Sequence, residues 1–96
     1  MDATTEKGDT ALIWASLHAP DERTSELLLR AGADPNAENN RNGTPLRLAC
    51  TRGSVQKVRL LLENGADRTR CDNMGLTALY HAKMFGHSEI VALLER

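Results

Sequence analysis

The chain has three aromatic residues among 96, Trp14, Tyr80 and Phe85. That is too few for a globular core built on aromatic packing, so Leu, Ile, Val and Ala must fill whatever core forms. No apolar run approaches the ~20 residues that a membrane-spanning helix needs. The start, Met1-Asp2-Ala3-Thr4-Thr5-Glu6, has neither a basic n-region nor an apolar h-region, so neither membrane insertion nor secretion is expected. Cysteine is scarce too. Cys50 falls in an apolar helical stretch and Cys71 in a polar loop, with no C-x-x-C and no H-x-x-x-H, which reads as two free thiols of a cytoplasmic protein and no zinc site. The three histidines (His18, His81, His87) are dispersed, no serine or cysteine has a recognisable partner arrangement, and no phosphate-cradling glycine motif is present. The expectation is a non-enzyme with no cofactor and no metal.

What the chain does have is self-similarity. Thr44-Pro45-Leu46-Arg47-Leu48-Ala49 has near-copies in Thr10-Ala11-Leu12-Ile13-Trp14-Ala15 and Thr77-Ala78-Leu79-Tyr80-His81-Ala82, with threonines 34 and 33 residues apart. Leu27-Leu28-Leu29-Arg30-Ala31-Gly32-Ala33-Asp34 recurs 33 residues on as Leu60-Leu61-Leu62-Glu63-Asn64-Gly65-Ala66-Asp67. A period of this size marks a stack of small units, each unable to bury its apolar side alone, and three is the usual minimum for stability. Such a stack offers a long surface to a partner. Charge is segregated along it: residues 1–40 carry three basic and eight acidic side chains, 41–70 seven and two, 71–96 two and three.

Each unit reads as two short helices. In the second, Thr44 is a good N-cap, Pro45 takes the first helical position where its missing N–H costs nothing, and the helix stops at Gly53. A second helix from about Ser54 presents Val55, Val58, Leu61 and Leu62 as an apolar stripe and ends at Gly65. The third unit repeats the plan, with helices from Thr77 to about Phe85 and from Ser88. The first inserts Ala19-Pro20-Asp21-Glu22 as a stop followed by an acidic first turn. Leu46, Ala49, Val58 and Leu61 are expected between neighbours.

These residues resemble ankyrin repeats over nearly the whole chain. The family pattern D-x-x-G-x-T-P-L-H-x-A is matched by Asp72-Asn73-Met74-Gly75-Leu76-Thr77-Ala78-Leu79. Its continuation G-H-x-x-I-V-x-L-L is matched by Gly86-His87-Ser88-Glu89-Ile90-Val91-Ala92-Leu93-Leu94, and its end by Asp34-Pro35-Asn36-Ala37. The resemblance implies an all-α solenoid of three stacked helix-turn-helix units joined by β-hairpin-like loops. It would form one domain, 1–96, with repeats at about 5–37, 39–71 and 72–96. The family's T-P-L-H histidine is replaced by Ile13, Arg47 and Tyr80, and its turn glycine, present as Gly8 and Gly75, by Asn42, which tolerates the left-handed region. Ser25 stands where Val58 and Val91 are apolar. Glu95 makes the last repeat more polar, as a cap requires. Trp14 shares the register of Leu48 and His81, which in this family faces the neighbouring repeat, so packing is expected of it. His87 matches a position that supports the inter-helix loop.

Function should then lie at the positions the family leaves variable, the hairpin tips and the exposed ends of first helices. These are Glu6, Lys7, Asp9, Leu17 and His18, then Asn40, Arg41, Thr51 and Arg52, then Asn73, Met74, Leu76, Met84 and Phe85. The apolar last group, with Arg41 and Arg52 alongside, is the expected protein-binding face. Two further readings are a structural or self-associating segment, and an anion or nucleic-acid binder using Arg41, Arg47 and Arg52. Against nucleic acid, Arg47, Lys57 and Arg59 should radiate into solvent in different directions, and the acidic first repeat would repel a continuous phosphate backbone.

Overall fold

The computed structural model describes residues 10–19 and 21–95. Glu6, Lys7, Gly8 and Asp9, named above, lie outside them. Six helices follow in pairs: α1 Ala11–His18, α2 Arg23–Arg30, α3 Pro45–Arg52, α4 Val55–Glu63, α5 Ala78–Met84 and α6 Ser88–Leu94. The first helices α1, α3 and α5 pack side by side in that order. On the outer side α4 packs on α6, while α2 makes no comparable contact with α4. The fold is the all-helical solenoid expected.

The repeated threonine starts each first helix for the same reason. The hydroxyls of Thr10, Thr44 and Thr77 accept from the backbone N–H groups of Ile13, Arg47 and Tyr80, each at 3.2 Å, satisfying one of the orphan donors of a helix start. Ser54 does the same for α4 through the N–H of Lys57. Leu46, Ala49, Val58 and Leu61 are all buried in one core with Leu12, Ala82 and Ile90. Asn42 takes φ +59° where the third repeat has Gly75 at +77°, so asparagine meets the backbone demand of that turn.

Hairpin-like loops join the repeats without forming extended strands among the described residues. Asn39 N–H donates to Gly43 O, Asp72 N–H to Leu76 O, and Cys71 pairs with Thr77 in a single antiparallel bridge. The side chain of Asn39 also accepts from the N–H of Arg41 and Gly43. Adjacent loops are tied together. Asn73 N–H donates to Arg41 O, and Asn36 bridges to the next repeat by accepting from Asp67 N–H and donating to Gly65 O. Arg70 reaches Glu38 at 3.1 Å.

Two expectations fail, both at the first repeat. Trp14 is 49% exposed, its ring 5.1 Å from that of His18, because its register position faces the preceding side of the stack, where no described residue covers it. Lys57 is not a solvated surface lysine; it is 2% exposed. The 33-residue register places it at the position of Ile90, and its stem fills that space while its ammonium reaches back to α1. The loose thiols behave as expected: both cysteines are free, Cys50 buried and Cys71 exposed, and burial pushes the Cys50 thiol up to about 12.

Candidate protein-binding face

The hairpin tips and the C-terminal ends of the first helices supply the face. Arg41 and Met74 share one register position, at the tips before α3 and α5, and their backbones are brought together by the Asn73–Arg41 hydrogen bond. Arg52 and Phe85 share another, at the far ends of the same helices. Arg41, Arg52, Met74, Met84 and Phe85 are exposed, Met74 at 77%, and Leu76 is half-buried. The six expected residues therefore form two rows separated by the length of a first helix, about 10–12 Å. Met84 lies one turn beyond Tyr80 on α5, and the Phe85 ring lies 6.3 Å from His87 in the α5–α6 turn.

Beneath this surface the hairpin before α5 is held by a buried pair that the sequence did not reveal. His81 Nε2 lies 2.9 Å from Asp72 Oδ2, both side chains nearly buried. Asp72 Oδ1 accepts from the N–H groups of Met74 and Leu76. Burial pushes the Asp72 carboxyl up. The Leu76 N–H, His81, the Met74 N–H and the charge of Arg47 together outweigh it and hold the group below the usual carboxylate range. This pair positions Met74 and Leu76 and faces no open cleft. His81 sits one residue after the family's histidine position, which is why the motif gave no signal for it. Arg47 is equally committed: its guanidinium lies over Gly43, where an added Cβ would meet Nη2 at 2.6 Å. Its Nε is buried without a hydrogen-bond partner among the described residues. Of the three arginines considered for an anion, only Arg41 and Arg52 are presented outward.

A second cation works on the opposite flank. Lys57 Nζ donates to the carbonyls of Ala15, Ser16 and Ala19 at the C-terminal end of α1. The α3 helix ends in left-handed Gly53, and the N–H groups of Gly53 and Ser54 return to Ala49 O. At α1 the chain leaves through extended Ala19 into Pro20, which has no N–H to return. The carbonyls orphaned there are served by Lys57 from the next repeat. Burial and Arg52 lower the proton affinity of this amine, against Asp21 and Glu22, which raise it. Arg68 plays a similar part at the other end, donating to Leu94 O at the last turn of α6.

The hollows in the surface lie elsewhere. One of about 260 Å³ runs along the α5–α6 turn beside Gly53, where the His87 ring packs closely over that glycine. Another of about 240 Å³ lies between α4 and α6 near Arg59 and Leu93. No helix among the described residues is long and apolar enough to cross a membrane.

Comparison with known proteins agrees with this geometry. Ankyrin repeats, in three copies, match residues 12–95. A putative ankyrin repeat protein of Fowlpox virus is 33% identical over 88% of this chain and 20% of its own length. Human ankyrin repeat domain-containing protein 63 is 34% identical over all of this chain and 26% of its own length. The transient receptor potential channel pyrexia of Drosophila melanogaster is 38% identical over 90% of this chain and 9% of its own. The chain thus spans about a quarter or less of these relatives. Its register, its threonine-capped first helices and its tied hairpins are those of a stacked repeat, and the chain belongs to the ankyrin-repeat family.

Proposed function

We propose that this domain is a non-enzymatic recognition module that docks a protein segment on the concave face formed by hairpin tips and first helices. Ankyrin repeats are in general protein–protein interaction modules. The observation that carries the reading here is the exposure of Met74, Met84 and Phe85 beside outward-facing Arg41 and Arg52, on loops fixed in advance by hydrogen bonds. A surface ordered before binding loses little conformational entropy on docking, and methionine and an aromatic beside arginine are the composition of an interface centre. The partner segment should offer an apolar side chain flanked by carboxylates. A cytoplasmic setting and repeat limits near 5–37, 39–71 and 72–96 belong to the same reading.

Selection of a random peptide-display library on the immobilised protein tests it. Enriched peptides should carry the apolar–acidic pattern, weaken as salt rises, and lose binding to Met74→Ser/Phe85→Ser, which should retain the parent's helical signal. Equal binding by that variant would overturn the assignment of the face.

A further inference from the structure

Equivalent positions in the three repeats are covered to very different extents, and the trend has a direction. Trp14, Leu48 and His81 share one position on the first helices, and their exposures run 49%, 7% and 8%. Leu27, Leu60 and Leu93 share one on the second helices, running from 66% through half-buried to 8%. The position of Ile13, Arg47 and Tyr80 runs the opposite way, from 0% through half-buried to 51%. The first two positions therefore face the preceding repeat and the third faces the following one, and each is covered only where that neighbour exists. Met84 stands one turn after Tyr80, exposed where Leu17 and Thr51 are half-buried.

The two ends of the described stack are consequently apolar. Trp14 and Leu27 mark the leading end, Tyr80 and Met84 the trailing end. A repeat stack finished by its own caps turns polar residues outward, and Glu95 alone does not achieve this. What fits each end is defined by the seams inside the molecule: the trailing face of one repeat meets the leading face of the next, twice over. The trailing face of repeat three is matched to the leading face of a repeat one.

We infer that the 96-residue chain associates head to tail, with Tyr80 and Met84 of one copy packing on Trp14 and Leu27 of a second as a continuation of the internal repeat-to-repeat interface. The contact joins two different patches, so each added copy leaves a free face at either end and assembly proceeds beyond a dimer. Aromatic and methionine side chains at its centre suit such a contact. Arg41, Met74 and Phe85 take no part, so this interface and the proposed binding face stand or fall separately.

Light scattering coupled to size exclusion, across rising concentrations of the intact chain, is the test. The parent's average mass should climb above 10.5 kDa. Trp14→Gln/Leu27→Gln and Tyr80→Gln/Met84→Gln should each stay monomeric alone, and their equimolar mixture should form a species of roughly twice 10.5 kDa that grows no further. Leu27→Gln alone serves as the leading-face variant should the change at Trp14 disturb folding, with the parent's circular dichroism as the check. A parent that stays monomeric at every concentration overturns the inference. So does a variant that dimerises alone, which would indicate a symmetric contact or another surface, and so does a mixture that fails to pair.

Discussion

The two seams of this stack solve one packing problem with different chemistry. Between repeats two and three, Ile90 is fully buried and Leu93 nearly so, α4 packs on α6, and the hairpins are cross-tied by Arg70–Glu38 and Asn73–Arg41. Between repeats one and two the position of Ile90 is taken by Lys57, α2 stands away from α4, Leu27 is exposed, and Ser25 is buried with its hydroxyl unpartnered among the described residues. The apolar seam is held by burial. The other is held by the packing of α1 on α3 together with one ammonium on three carbonyls. The difference traces to how α1 ends. Ala19-Pro20 cannot supply the returning N–H that Gly53 and Ser54 give α3, so the donors must come from a neighbour. The acidic start of α2 then lies near a basic second repeat, and the charge segregation visible along the sequence becomes an attraction across the seam.

The largest effect should come where both seams share a residue. Leu61 is fully buried, and Leu61→Ala should cost about 2–5 kcal/mol, as for other buried leucines. In a stack of three repeats that is enough to shift the urea midpoint strongly or to abolish cooperative unfolding. An unchanged midpoint would place Leu61 outside the core.

The seams are then set against each other by Lys57→Met and Ile90→Met. Methionine keeps bulk at both sites and removes the donor only at the first. Ile90→Met is close to volume-conserving and should cost less than about 1.5 kcal/mol. Lys57→Met leaves carbonyls of α1 without a partner, at about 1–3 kcal/mol for a buried unsatisfied group, so it should be the more damaging of the two. The reverse order in denaturant melts would mean that the cost of burying the ammonium exceeds what its hydrogen bonds return.

Acid should act first on the other seam. Asp72, Asp67 and Glu38, all in the hairpins of repeats two and three, have carboxyls held below their ordinary range. For Asp67 the Thr69 hydroxyl and N–H do this, and for Glu38 the side chains of Asn42 and Arg70 do. A carboxyl with a lowered folded pKa stabilises the fold fully above its unfolded pKa and loses that contribution as pH falls through the folded value. Stability should therefore decline below the usual carboxylate range, and Asp72→Asn should flatten that decline. An acid limb unchanged in Asp72→Asn would remove this carboxylate from the cause. The smallest effect is one of rate alone: Cys71 should alkylate quickly in the folded protein and Cys50 slowly, its thiol being buried and raised to about 12. Equal rates would show that α3 opens as readily as a loop.

Much of this was legible in the residues. The period, the threonine caps, the helix limits and the left-handed Asn42 are local properties, and each followed from a few consecutive residues. Lys57 and Trp14 were misjudged because burial at their positions depends on whether a neighbouring repeat is there and how its helix ends. The register held the clue for Lys57, since counting 33 residues back from Ile90 lands on it. The Asp72–His81 pair lay beyond such counting, because it joins a hairpin to a helix through a position that the motif leaves free. The binding face was readable as a set of exposed types, whereas its division into two rows required the length of a real helix.

A surface ordered before docking requires that the first repeat stay closed on the second, and native-state hydrogen exchange of α1 measures this directly. In the parent, the α1 amides should be protected to nearly the level of α3. In Lys57→Met they should exchange markedly faster, while α5 and α6 keep most of their protection. Free exchange of α1 in the parent, or identical protection of α1 in the two proteins, would contradict the role assigned to Lys57 in holding the first repeat.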